Sequence, residues 1–131
     1  MAGSKTDYAE NKVLDAIFNQ TSFVVSTPYV ALFTATPSDS GGGTEVSGGS
    51  YARVASTSSW PAAASGAIAN DVAIAFPTAS ANWGTVTQWA LMDASTSGNM
   101  IYWGDITTPR NILSGDPTPT FAIGALTVNE N

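Results

Sequence analysis

Residues 83–104 constrain this chain more than any other stretch. They hold three of the four tryptophans. Val86, Gln88, Ala90 and Met92 alternate with Thr85, Thr87, Trp89 and Leu91; Ser97-Gly98-Asn99 interrupts, and Met100-Ile101-Tyr102-Trp103 resumes. A two-residue period belongs to extended backbone, whose side chains point to opposite faces in turn. Gly and Asn between two such runs mark a reversal, because they tolerate φ > 0. The stretch therefore predicts a β-hairpin. Both faces of each strand are largely apolar, which places the hairpin inside a sandwich rather than at a solvated edge.

The flanking sequence predicts one helix and several more strands. Residues 4–19 place Val13 and Ile17, with Leu14 and Phe18 beside them, at helical spacing. Ser4 or Thr6 can cap the start, and Asp7 and Glu10 suit the positive end of the helix dipole. Two roles fit this helix, docking on the sandwich or reaching a neighbouring subunit. Residues 20–28 read as a linker. Residues 29–34 read as a central strand bounded by Pro28 and Pro37, and residues 38–50, with five glycines and almost nothing to bury, as a surface loop. Residues 51–60 and 67–76 are expected to pair, with Val72, Ile74 and Phe76 on one face. Residues 107–110 and 114–117 read as turns, and 121–128 as the last strand. Six to eight short strands after one helix predict a mainly β fold, an antiparallel β-sandwich or jelly-roll-like barrel. The chain reads as one domain over 1–131, with a helical arm at 1–19 and the sandwich at 28–131. Phe33, Val72, Ile74, Phe76, Trp89, Leu91, Trp103, Phe121 and Leu126 are its expected core.

Composition removes most chemistry. The chain has no histidine and no cysteine, so the commonest general base, thiolate nucleophiles and zinc sites are missing, and a reactive serine would depend on Lys5 or Lys12. The glycine run is followed by Tyr51-Ala52-Arg53 rather than by a P-loop lysine and a helix. No calcium-loop pattern is present. Asp93 and Asp105 flank the hairpin and resemble a glycosidase carboxylate pair only if they face one another; aspartates beside strand ends usually bond local backbone. The expectation is therefore no enzyme, no catalytic residue, no cofactor and no metal. Ten acids against four bases oppose binding to nucleic acid. No apolar run reaches the length of a bilayer span, and the first residues lack a signal-peptide core, so a soluble protein made in the cytoplasm and free of membranes is expected. The tryptophans fit core filling better than a sugar platform. Arg53 and Arg110 are the only arginines, each a candidate to pair with a carboxylate within the chain or across an interface.

Residues 29–37, then 42–53, then Phe76-Pro77-Thr78-Ala79 with Trp83-Gly84-Thr85-Val86-Thr87, resemble a family of small tailed-bacteriophage virion proteins. The resemblance runs from Tyr29 to Val128. It implies a non-enzymatic virion role, either as a capsid decoration (cement) protein or as a tail-fibre or adhesin module. For the decoration role, the expected location is the outer surface of the capsid and the expected partners are the major capsid protein and further copies in a homotrimer. One compact domain with a short helix favours cement over a fibre with a shaft. The expected contact residues are Tyr8, Phe18 and Phe23 of the N-terminal segment, Gly42, Gly43, Gly48 and Gly49 of the glycine loop, and Arg53 and Arg110.

Overall fold

The computed structural model describes residues 3–130; the outermost residues of the expected arm and sandwich, 1, 2 and 131, lie outside the described residues. Strand β1 (Gly3–Lys5) leads into helix α1 (Asp7–Ile17), and β2 (Tyr29–Ala35), β3 (Thr44–Glu45), β4 (Val54–Ala55), β5 (Ala67–Ala69), β6 (Ile74–Ala75), β7 (Gly84–Met92), β8 (Met100–Ile112), β9 (Thr120–Phe121) and β10 (Thr127–Asn129) follow. The fold is mainly β, and each described ladder is antiparallel.

The hairpin β7–β8 lies at the centre. The main sheet runs β1-β8-β7-β2-β3, with β4 beside β3 on the same edge of β2. Two short ribbons, β5–β10 and β6–β9, make up the other sheets. One face of the main sheet carries Val30, Leu32, Val86 and Trp89, packed with Ile74, Phe76, Trp83, Ile112 and Leu126. The opposite face carries Ala31, Phe33, Ala90, Met92 and Met100, a smaller cluster. Burial on both faces is why these strands show apolar residues at odd and even positions alike. At the hairpin turn, Ser97 and Gly98 take φ of 53° and 74°. Asn99 contributes hydrogen bonds instead, from its N–H and its amide to the Asp93 carboxylate at 2.7 and 3.0 Å.

Several expectations are corrected. β8 continues to Ile112, through the residues 107–110 read as a turn. Gln88 faces Asp105 while Val86 faces Arg110, so residues 106–109 bulge out of the ladder. Pro109 fits there because it need not donate a ladder hydrogen bond. Residues 51–60 and 67–76 do not pair with each other. Ser56 ends the first run by donating from its N–H and hydroxyl to the Pro28 carbonyl, both at 2.8 Å, and a turn follows. β5 instead meets β10, and β6 meets β9. Residues 121–128 form the edges of two ribbons rather than one strand. The buried Asn70 side chain holds them apart, donating to the Val72 and Ala122 carbonyls at 3.0 Å each and accepting from the Leu126 N–H at 3.0 Å. Val72 is exposed, while Leu91, Trp103 and Phe121 are half-buried. Among the described residues ten strands replace the expected six to eight, four of them only two residues long. The glycine run also contains β3, and Val46 beside it is buried.

Candidate interaction surface

Helix α1 is fixed at one end and free at the other. Thr6 caps it. The Thr6 hydroxyl accepts from the Ala9 N–H at 3.4 Å and donates to the Met100 carbonyl at 2.5 Å, and the Thr6 N–H donates to the Ile101 carbonyl at 3.0 Å. The Asp7 N–H donates to the Asp39 carbonyl at 2.7 Å. Ala9 is the helix's buried residue. The first turn is thus held by Thr6 and Ala9, whereas Leu14, Ala16, Ile17 and Phe18 further along are exposed. Of the apolar stripe read from the helical spacing, Val13 is half-buried, while Leu14, Ile17 and Phe18 are 52%, 68% and 69% exposed, and Val24 beyond the helix is 83% exposed. Tyr8 and Phe23 meet edge to face, 6.4 Å between centroids, with the Lys12 ammonium 5.8 Å from the Tyr8 ring. That contact anchors the segment that returns from the helix to β2.

A polar groove of about 590 Å³ lies beside the first turn of α1. The glycine loop and the hairpin turn form its sides, and Phe33, Met92 and Met100 line it. Its wall is an ionic network. The Arg53 guanidinium donates twice to the Glu45 carboxylate, at 2.8 Å each, and to the Ala94 and Ser97 carbonyls at 2.7 and 2.8 Å. The Tyr51 phenol donates to Glu45 at 2.7 Å and accepts the Leu32 N–H at 3.0 Å. Burial alone would push the Glu45 carboxyl up, but hydrogen bonds from Arg53 and Tyr51, with the Arg53 charge, hold it below the usual range. Burial first, and the neighbouring carboxylate second, push the Tyr51 phenol up.

The groove brings together Tyr8, Gly42, Gly43 and Arg53 of the expected contact residues. Phe23 stands behind Tyr8. Phe18, at the far end of α1, and Gly48, Gly49 and Arg110 lie elsewhere. Gly43 has φ of 75°, and a Cβ there would come 2.7 Å from the Ala35 carbonyl oxygen. Gly49 receives the Trp83 indole N–H on its carbonyl at 2.8 Å. These close approaches are made within the chain. Arg53 pairs within the chain too, whereas Arg110 is exposed and has no carboxylate partner among the described residues. Asp93 and Asp105 do not face one another. Asp93 holds the hairpin turn and Asp105 accepts from the Gln88 amide at 3.0 Å, about 17 Å apart along the strands and well beyond glycosidase spacing. Trp83 and Trp89 are core, and Trp60 and Trp103 are half-buried. Sequence reasoning missed Glu45 and Tyr51. Tyr51 and Arg53, two apart on extended backbone, share a side, and that was the available signal.

Among the described residues no helix is long and apolar enough to cross a membrane, and no group of three or more His, Cys, Asp or Glu gathers. The model of the family described as Podophage GP4 fiber I protein gp80 matches residues 4–129, so the chain belongs to that family and is a phage virion structural protein. The match takes in α1 as well as the segment from Tyr29 onward. No curated protein matches the chain.

Proposed function

We propose that the chain is a building unit of a podophage tail fibre, joined to further copies of itself, as a homotrimer, through the outer stripe of α1. The supporting observation is that stripe. Leu14, Ile17 and Phe18 are neighbours at i, i+3 and i+4 and together expose roughly 400 Å², as much as the largest apolar patch on a typical monomer and half of what a standard interface takes from each partner. Exposed surface of this kind favours a neighbour, and cyclic symmetry lets three copies each give and receive the same contact. The chain is not an enzyme in this reading: it supplies contacts, and the polar groove with its glycine loop meets the next virion component. The decoration role implied by the family resemblance places the same contacts on the major capsid protein at the outer surface of the head. The family's description favours the fibre.

Two measurements test this. Gold-labelled antibody on intact particles is expected at the tail, and label covering the head would replace the fibre reading with the capsid one. Sedimentation of the purified protein is expected to show a trimer, with Phe18→Asp and Ile17→Asp shifting it to a monomer that keeps the wild-type circular dichroism spectrum and loses the concentration dependence of the melting temperature. A wild-type protein that sediments as a monomer, alone and on isolated tails, removes the self-association claim.

A further inference from the structure

A cleft of about 300 Å³ opens beneath the outer half of β8. Its floor is the core itself, Leu32, Val86, Trp89, Ile112 and Leu126, each at most 4% exposed. Ile106, Thr107 and Thr108 of the bulge, with Phe121, also line it. Space of that size equals about ten waters of liquid, room for a ligand part of about ten non-hydrogen atoms, and an apolar floor holds water poorly. Arg110 stands at the mouth. It faces Val86 across the ladder and so shares the face that lines the cleft. Asp105 also borders the cleft, but its side chain faces Gln88 on the opposite side of the sheet and is held there by the Gln88 amide.

The charge count makes Arg110 conspicuous. Lys5 pairs with Glu130, Arg53 with Glu45, and Lys12 lies over Tyr8. In a chain of ten acids and four bases, the fourth base has no such partner among the described residues and sits over an apolar cavity. A guanidinium matches a carboxylate fork to fork, and the cleft matches an apolar body attached to it. Among the described residues the backbone beside it is also without a ladder partner on its outer edge. β1 covers β8 only from Tyr102 to Gly104, so the outer edge beyond has no strand partner among the described residues and offers ladder groups to an extended chain.

We propose that this cleft binds the C-terminus of a partner chain, its α-carboxylate on Arg110 and its last apolar side chain on the Leu32, Val86 and Trp89 floor. The site is separate from the α1 stripe and does not depend on the oligomer. Its test uses the full chain and an acetylated hexapeptide ending Ala-Val-Leu with a free carboxylate, the same peptide ending in an amide, and octanoate. Amide shifts at Thr107, Thr108 and Phe121 in NMR and the fluorescence of Trp89 report binding. The free-acid peptide is expected to bind about tenfold or more tightly than the amide, and Arg110→Gln to remove that preference, since a charge-assisted pair is lost in each case. Ala125→Trp, at an exposed lining position, is expected to fill the cleft and abolish binding by wild-type Arg110. Equal binding of acid and amide peptides, or no response at these residues in folded protein, overturns the proposal. Octanoate binding as tightly as the peptide overturns the chain terminus as occupant and assigns the cleft to free apolar acids.

Discussion

Removing the Arg53 guanidinium tests whether the ionic network ties the glycine loop to the hairpin turn. Arg53→Ala deletes two hydrogen bonds to Glu45 and two to the carbonyls of Ala94 and Ser97. It leaves the Glu45 carboxylate with Tyr51 as its remaining hydrogen-bond partner. Losing one member of a fully buried pair costs about 3–5 kcal/mol and of an exposed pair about 0–1. The side chains here are 7% and 24% exposed, and the two carbonyls lie near enough to solvent to regain water. The cost should therefore fall at about 2–3 kcal/mol, or about 8–10 °C in melting temperature for a domain of this size. Because the Glu45 carboxyl is held low in the folded state, its contribution is present above its ordinary value of 4.5 and is lost as pH falls through that value toward the lowered one. Wild type and Arg53→Ala should thus differ most near neutral pH and converge in acid. Thermal unfolding followed by circular dichroism at a series of pH values measures both. A loss under about 2 °C at neutral pH, or a gap that widens in acid, would refute the reasoning.

Two other changes probe how the loops are held. Asn70→Ala removes three hydrogen bonds that separate β9 from β10 and leaves the Leu126 N–H, the Val72 carbonyl and the Ala122 carbonyl without that partner; chemical denaturation should show a loss of about 2–4 kcal/mol, and a loss below about 1 would mean water replaces the amide. Gly43→Val combines a φ of 75° with a Cβ 2.7 Å from the Ala35 carbonyl, so proteolysis should open the 38–45 loop and stability should drop by about 2 kcal/mol or more, while Gly42→Val, with the same φ and open space around it, should cost less.

The hairpin was legible because it needs only local information. Alternation, a Gly-bearing break and apolar residues on both faces specify two strands buried on both sides wherever the partners come from. The same holds for β2 between Pro28 and Pro37, for a hydroxyl cap on α1, which the sequence placed at Ser4 or Thr6 and which is Thr6, and for the mainly β class. Pairing beyond neighbours was not legible. Residues 67–69 have the same small apolar character whether they meet 51–60 or 127–129, and the buried Asn70 beside them is tied to the later segment, its side chain bonded to the Ala122 carbonyl and the Leu126 N–H far along the chain. The stripe Leu14, Ile17 and Phe18 has the period of a docked helix and of an exposed one alike, because periodicity reports a shared face and not what covers it. Tertiary contacts decided the outcome, holding the first turn through Thr6 and the buried Ala9 and leaving Leu14, Ile17 and Phe18 exposed. Arg53 and Arg110 looked equivalent in sequence. A carboxylate lies within reach of one and not the other, a matter of position in space: β3 and the hairpin turn bring Glu45, Ala94 and Ser97 around Arg53, while the β8 bulge leaves Arg110 at the mouth of an apolar cleft. What the sequence determined by itself was the local state of the backbone and which side chains share a face; which faces are covered, and by what, follows from long-range packing that one chain's periodicity does not encode.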